Sequence, residues 1–525
     1  MDQSVVRRFL SDPATHSGPV EVIETHASVI FLAGDTAWKM KKAVTYPYLD
    51  YGTLDRRKQF CAEEVRINRR TAPDLYLDPV PVTETAGELV IGGDGKPVEW
   101  LVPMRRFDND LLLDRMAERD ELSPALCRDI ADAIHAFHVA AEPERTGDAA
   151  AALQAISSDI ISELRRHGGA VFEPPVVDEL EREWRALLTR TDGLIRERQR
   201  NGLVRHLHGD LHLRNIVLWQ GRPTLFDAIE FDPAIATIDT LYDLAFLLMD
   251  LLHRDRKDEA NAIMNRYLQR CGDYEGLALL SLFLSLRAAI RAHTGASGAT
   301  DDAQRREAAA YLDLARSVLK ASDPVAIAIG GPSGSGKSTT AALIAPEIGG
   351  AAGAVIIRSD VVRKRLHGVA PEEKLNPGAY TAAKSRRVFE TLAAEAETIL
   401  KAGQSVIIDA VFGGDQNLAP FEAGLRQLGI GMTGYWLDAP ADALRQRVAA
   451  RRNDASDADV TVLGRQLGSV QCPAGWQVVD ASGSPEESAS NLRRALLRPA
   501  APPPRETPQP PKPDGQQDHR RGSSG

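Results

Sequence analysis

Two kinds of hydrophobic pattern divide the chain. From Val325 onward, short apolar runs at 325–330, 354–360, 405–412, 431–438 and 476–481 are separated by stretches of helical spacing. Apolar runs without polar alternation are strands covered on both faces, and their alternation with helices predicts an α/β unit with a parallel five-stranded sheet. Earlier in the chain, strand-like segments at 28–32, 36–41, 88–91 and 98–102 precede a region that is mostly helical from about Leu111. A small strand-rich part leading a helical part predicts an α+β unit. The seam follows residues 301–320, where Ala308, Tyr311, Leu312, Ala315 and Leu319 share one helix face before Asp323-Pro324 ends the pattern. From Pro499 eight prolines fall within 27 residues among Gly, Ser, Gln and Arg, a composition that buries too little apolar surface to fold. The expected units are residues 20–320 and 324–497, followed by a disordered tail, 498–525.

Composition narrows the partners. At 525 residues the chain is too long for one small domain. A net charge of −10 counts against a binder of phosphate backbones, which needs basic stripes to displace counterions, so long nucleic acid is not expected. Cys61, Cys127, Cys271 and Cys472 lie far apart with no Cys-x-x-Cys pair, which suggests neither a zinc cluster nor a disulfide framework and fits a reducing cytoplasm. The N-terminus lacks the apolar core of a signal peptide, and the apolar stretches at 241–252 and 276–286 carry Asp243 and Asp250 or are closed by Arg287. Both read as buried helices, so no membrane partner is expected.

Between the first apolar run of the C-terminal unit and its next helical stretch stand Gly331, Pro332, Ser333, Gly334, Ser335, Gly336, Lys337 and Ser338. This is the G-x-x-x-x-G-K-[ST] pattern in its required context, and its chance occurrence in a chain of this composition is roughly 0.01. The glycines let backbone amides wrap the β-phosphate of ATP, and the helix N-terminus, starting near Thr339, favours the anion. Lys337 neutralises the β/γ oxygens and Ser338 reaches Mg2+. Asp360, at the end of the second strand, is the candidate general base for an acceptor hydroxyl, with Arg363 anchoring the acceptor; the alternative is a helix cap. Asp409 ends the third strand, suited to orienting Mg2+ or its water, or else structural. Arg447 and Arg451, with Arg445 and Arg452 beside them, are spaced to share a helix face and close over the phosphates, against the alternative of a solvated face.

Through these residues the block 325–495 resembles the small P-loop kinases grouped with gluconate kinase, the 5′-hydroxyl polynucleotide kinases, chloramphenicol phosphotransferase and the zeta toxins. The spacing of Asp360 and Arg363 is similar to that of the polynucleotide kinase group, which implies a base and an acceptor contact. The segment from Arg447 to Arg452, followed by Asn-Asp-Ala-Ser-Asp-Ala, resembles the lid of bacterial members of that group. The resemblance implies phosphoryl transfer without naming the acceptor.

A second constellation lies upstream. His208-Gly209-Asp210 is followed by Asn215, an apolar run, and Asp227 twelve residues after Asn215. An Asp, an Asn five residues later, a strand and a second Asp are what phosphoryl transfer needs without a P-loop. Asp210 accepts the proton of the acceptor hydroxyl, Asn215 and Asp227 hold Mg2+, and His208 braces the loop. Residues 20–320 thereby resemble the aminoglycoside phosphotransferase and choline kinase branch of the bilobal protein-kinase-like fold. The resemblance implies a strand lysine paired with a helix glutamate: Lys39 with Lys41 as the alternative, and Glu64 with Glu63 close behind. It also implies a hinge at 99–104, where backbone groups around Val102 to Met104 hold adenine. No G-x-G-x-x-G precedes the lysine strand, as in the antibiotic kinases, and nothing between Leu241 and Leu319 identifies an aminoglycoside.

The expectation is a phosphotransferase with two ATP-Mg2+ centres, each acting on a hydroxyl of a small molecule. The alternatives are a P-loop unit that phosphorylates a nucleotide or a 5′-hydroxyl nucleic-acid end, and an ATPase governed by the first unit as a sensor.

Overall fold

A computed structural model describes residues 2–46, 49–167, 169, 171–451 and 455–497. Arg452 and the tail 498–525 lie outside the described residues.

The first lobe is built on β1 (Val20–Glu24), β2 (Ser28–Ala33), β3 (Thr36–Lys41), β4 (Val80–Thr85), β5 (Glu88–Ile91) and β6 (Lys96–Arg105). They form an antiparallel sheet in the order β1-β2-β3-β6-β4-β5, with Lys39 opposite Ile30 on one side and Val102 on the other. α1 (Gln3–Ser11) precedes the expected boundary at residue 20 and buries Val6 and Leu10 against this sheet. Its Gln3 donates from Nε2 to the Lys41 carbonyl and to Glu99, so it is tied to the sheet by polar contacts as well. α2 (Leu54–Asn68), capped by Thr53, packs along β6 and presents Glu64 to β3.

The second lobe is helical: α3 (Pro124–Ala140), α4 (Ala149–Arg166), α5 (Pro174–Arg200), α6 (Thr240–His253), α7 (Lys257–Cys271), α8 (Leu280–Gly298) and α9 (Asp302–Ser317). A loop at 207–215 and the hairpin β7 (Ile216–Trp219) and β8 (Arg222–Leu225) lie between α5 and α6. Among the described residues, Glu275–Gly298 is a helical stretch long and apolar enough to cross a membrane, and it is mostly buried inside the fold. Antiparallel sheet and helical lobe together make the bilobal α+β unit that the sequence predicts.

The C-terminal unit has β9 (Ala326–Gly330), β10 (Val355–Arg358), β11 (Val406–Asp409), β12 (Met432–Asp438) and β13 (Gln477–Asp480) in a wholly parallel sheet, ordered β10-β11-β9-β12-β13. Beside the helix Ala419–Gln427, its helices are α10 (Lys337–Ile344), α11 (Ser359–Leu366), α12 (Ala382–Lys401), α13 (Ala441–Ala450), α14 (Val460–Ser469) and α15 (Pro485–Leu496). Every side chain of β9 is buried, as a central parallel strand requires.

The two units meet along the edge strand β10. An edge leaves backbone groups unpaired, and here α7 supplies side-chain partners. Asn261 Nδ2 donates to the carbonyls of Ala352 (2.7 Å) and Ala354 (3.0 Å), and Asn265 accepts from the Ile356 amide at 2.6 Å while donating to Ala354 at 3.1 Å. Arg266 pairs with Asp132 and with Glu372 of the C-terminal unit at 2.7 Å. One hydrophobic cluster runs from the helical lobe through Ala352, Val355, Phe389 and Phe412.

Candidate active sites

At the first centre the two-residue period of β3 puts Lys39 and Lys41 on one face, and both are used. Lys39 Nζ lies 2.8 Å from Glu64 and 2.6 Å from Asp227. Lys41 lies 2.6 Å from the other oxygen of Glu64 and also pairs with Glu230, to which Tyr51 donates at 2.6 Å. The result is an alternating row, Asp227-Lys39-Glu64-Lys41-Glu230, with three carboxylates and two ammonium groups. Burial opposes ionisation of Lys39, Lys41 and Glu64, but the opposite charges prevail. Lys39 and Lys41 are held well above their ordinary pKa, and Glu64 is brought down to about 2. Glu63 turns outward to Arg66.

The loop bearing Asp210 is fixed from below. Asp243 of α6 accepts the amides of His208 (3.2 Å) and Gly209 (3.0 Å) and meets His138, while Asp250 accepts the Leu213 amide at 3.0 Å. His208 is fully buried, and its Nε2 bonds the Phe226 carbonyl at 2.9 Å, joining this loop to Asp227. Asn215 Nδ2 donates to the Asp210 carboxylate at 2.9 Å. Asp227 has φ of 60°, a left-handed backbone unusual outside glycine, and its amide donates to the Tyr76 hydroxyl at 3.1 Å. A strained residue held by its surroundings and half-exposed into the cleft is the pattern of a functional position. Burial raises the Asp210 carboxyl, yet His212, His208 and Arg291 outweigh it and leave the pKa lowered. Asp210 is thus ionised and ready to accept a hydrogen bond from a hydroxyl.

The hinge expected at Val102 to Met104 is a strand instead. Val102 and Met104 pair with Lys39 and Ala37 of β3, the Pro103 carbonyl accepts from Leu77, and Met104 is buried at 7% exposure. Their backbone groups are consumed by the sheet and by residues 75–77, so they do not hold adenine. The crossing between lobes comes after Arg105. Glu99 is likewise a core carboxylate, held by Arg57 at 2.8 Å.

At the second centre the loop from β9 to α10 turns through Gly331, Gly334 and Gly336, with φ of 139°, 84° and 88°. A Cβ at Gly334 would meet the Leu444 carbonyl at 2.8 Å, and one at Gly331 the Leu437 carbonyl at 2.6 Å; only glycine fits. A cavity of about 480 Å³ is lined by Ser333, Gly334, Gly336, Lys337, Ser338 and Thr339, and by Arg358, Asp360, Asp409, Arg447, Arg451 and Ser456. Pro332 and Ser335 form the turn beneath, the Ser335 amide donating to the Pro332 carbonyl. The Ser333 amide donates to Gln466 of α14 at 2.8 Å. Asp360 opens α11 with its carboxyl raised by burial, against the pull of Arg358 and Ser456. Asp409 accepts from Ser338 and from Arg358 Nε at 3.2 Å.

The residues fit ATP and Mg2+ on two observations. Among the described residues Lys337 Nζ rests only on the carbonyls of Gly331 (3.0 Å) and Pro332 (2.9 Å), with no anionic partner there, and burial pushes its pKa down despite Asp409 and Asp360; a phosphate oxygen would supply that partner. Ser338 and Asp409 offer the hard oxygen donors that Mg2+ takes. At the first centre Asn215 and Asp227 supply the same donor chemistry.

One arginine expectation fails, and Arg447, although it lines the cavity, has a further role. Arg363 is 7% exposed, donates to the Ala379 carbonyl at 2.9 Å and lies 4.8 Å from the Tyr380 ring, away from the cavity. It fastens residues 377–385 and anchors no acceptor. Arg447 donates to the carbonyls of Ala481, Ser482 and Gly483, so its fork holds that loop. Arg451, the C-cap of α13, lines the same cavity as Arg447. Among the polar cavity residues that the sequence did not single out are Arg358 and Ser456. A cation at a strand's C-terminal end was the available signal for the first; the second lies in the Asn-Asp-Ala-Ser-Asp-Ala segment read as lid-like, without being singled out there.

A family described as an AAA domain matches residues 325–473. The chain is similar to an uncharacterized protein of Mycobacterium tuberculosis, 29% identical over 493 residues, which are 91% of this chain and 95% of the relative. Among solved structures it is similar to a choline/ethanolamine kinase family protein from Mesorhizobium loti, with 16% identity, 60% of this chain and 94% of that one covered, and a TM-score of 0.37. It is also similar to the Mycobacterium tuberculosis APS kinase in complex with AMPPNP and APS, with 19% identity, 34% and 99% covered, and a TM-score of 0.25.

Proposed function

We propose that the chain is an ATP-dependent phosphotransferase with two centres, each moving the γ-phosphoryl group of ATP to a hydroxyl of a small molecule. The observation that carries this reading is that each unit assembles a full set for the reaction. One has Asp210, Asn215 and Asp227 beside the Lys39–Glu64 pair; the other has the glycine cradle, Lys337, Ser338, Asp360 and Asp409 around one cavity. Bound Mg2+-ATP supplies the phosphoryl group and a cation that spreads its charge. Asp210 and Asp360 orient the acceptor hydroxyl and take its proton, Lys39 and Lys337 hold phosphate oxygens, and the carboxylates of Asp227 and Asp409 hold the metal. Small molecules, with nucleotides as a second class for the P-loop unit, suit a net charge of −10 better than long nucleic acid does.

The experiment is transfer from γ-labelled ATP to an acceptor panel by the wild type, Asp210→Asn and Lys337→Ala. Labelled products lost one by one in the two variants support two centres. ATP consumption without any labelled acceptor moves the reading to an ATPase governed by the first unit, and an ATP stoichiometry of one by calorimetry rejects two centres.

A further inference from the structure

The acceptor side of the first centre is written in α8. Arg287, 3% exposed, donates to the carbonyl of Gly209 at 3.0 Å, one residue before Asp210, and to that of Tyr242 at 3.1 Å. Its guanidinium lies 3.8 Å from the Tyr242 ring centroid and 4.7 Å from that of Phe246, whose other neighbour is the His212 ring. One helical turn later, on the same face, comes Arg291. It is half-buried, 5.6 Å from the Tyr311 ring, and forms no ion pair among the described residues. The nearby carboxylates are already engaged: Asp250 with the Leu213 amide and Arg254, and Glu307 with His253. His212 adds a protonatable ring 3.4 Å from the Asp210 carboxylate. Arg291 is close enough to Asp210 to help hold its carboxyl low. The helix face that holds the Gly209 carbonyl therefore carries, one turn on, a cation without a carboxylate partner among the described residues. A cationic amino sugar or amino alcohol meets repulsion there; an oxyanion meets a planar fork suited to bidentate binding.

Resting on the two-centre reading above, we propose that the acceptor of the first centre bears an oxyanion, a carboxylate or a phosphate, near the hydroxyl that it presents, and that Arg291 holds it. With the oxyanion on Arg291 the hydroxyl faces Asp210. The hydroxyl oxygen bonds to the γ-phosphorus as that phosphorus parts from the β,γ-bridging oxygen, and the hydroxyl proton passes to Asp210 and on to solvent. The products are ADP and a phosphomonoester that keeps its oxyanion.

The test uses the full chain carrying Lys337→Ala, so that only the first centre turns over, with D-glycerate, ribose 5-phosphate, glycerol and choline as acceptors. Transfer to an oxyanion acceptor is expected. Arg291→Gln should raise its KM about tenfold or more with kcat little changed, and Arg291→Lys should recover part of the loss. Preference for choline or glycerol overturns the proposal, as does an unchanged KM for the oxyanion acceptor in Arg291→Gln. Transfer to neither oxyanion acceptor by a chain that still binds ATP also overturns it, while leaving the phosphotransferase reading in place. Loss of ATP binding in the Lys337→Ala chain strikes at that reading instead.

Discussion

On the proposed reading, the two centres meet one chemical demand, charge held still around a triphosphate, by opposite means. The first uses side chains: five alternating charges from β3, α2 and the segment 227–230 lock one another in place, and Lys39 is paired before any phosphate arrives. The second uses backbone: three glycines at positive φ shape a cradle, and Lys337 waits on two carbonyls. A network of buried ions fixes geometry but is costly to break. A glycine cradle has few side chains to lose and depends on a conformation that a single Cβ destroys. The same function therefore fails differently in the two halves, and each difference is measurable.

The largest expected effect is on transfer itself. Asp210→Asn should lower the first activity by about 10²–10⁴-fold and leave the second within a factor of two or so, and Lys337→Ala should do the converse. Assays with one acceptor for each centre read this directly. If either substitution silences both activities, the centres are not separate and the comparison collapses into a single coupled site.

Next in size is stability. Lys41 is 1% exposed, between Glu64 and Glu230. Lys41→Met leaves two buried carboxylates without their shared cation and should cost roughly 3–5 kcal/mol in urea unfolding of the first unit. The row also sets an acid limit. Glu64 sits near 2 in the folded chain against an ordinary 4.5, so its contribution is present above about 4.5 and is lost as the pH falls toward 2. A cost under about 1 kcal/mol would mean that the row is not what holds β3 to α2.

Smaller again is the effect of the seam. Asn265 gives the edge strand β10 both a donor and an acceptor, and Asn265→Ala leaves the Ile356 amide without its partner, while the Ala354 carbonyl keeps Asn261, a cost of about 1–3 kcal/mol. Because β10 runs straight into the turn that carries Asp360, faster hydrogen exchange at Ile356 should accompany slower transfer in the second centre. Unchanged exchange there would show that α7 only covers the edge.

How much of this was legible depended on how far apart the partners lie. Apolar runs and helix faces are local, so β3, β9, β11 and α9 could be read within a residue or a few. The pattern around Asp210 and Asp227 is a motif of fixed spacing. The misreadings share a cause: a polar group's role is set by a partner distant in sequence. Arg363 sits three residues from Asp360 as an acceptor anchor would, yet the Ala379 carbonyl takes it. Met104 follows an apolar run that reads as a strand end, yet residues 75–77 extend the pairing past it. Strand β4 escaped notice because Pro81 interrupts its pattern, and Glu230 is separated from Lys41 by nearly two hundred positions.

The smallest expected effect is the one that most sharpens the contrast. Asp210 and Asp360 are assigned the same task, but their surroundings push them apart. Imidazoles and Arg291 overcome burial and hold Asp210 below the usual carboxylate range, whereas burial lifts Asp360 above it despite Arg358. An activity that requires the ionised carboxylate declines as the pH falls through that group's pKa, by up to about tenfold per unit below it. Asp210 stays ionised throughout mild acid, so the first activity should run flat there, while the second should begin to decline at a pH where an ordinary aspartate is still fully ionised. The comparison is kcat/KM against pH for each centre, with the other silenced by Lys337→Ala or Asp210→Asn. If the decline in the second centre belongs to Asp360, Asp360→Asn leaves a slow activity without that acid limb. Two matching limbs in the wild-type centres would show that the carboxylates do not feel the different environments assigned to them, and the division into a side-chain centre and a backbone centre would then have no consequence for proton transfer.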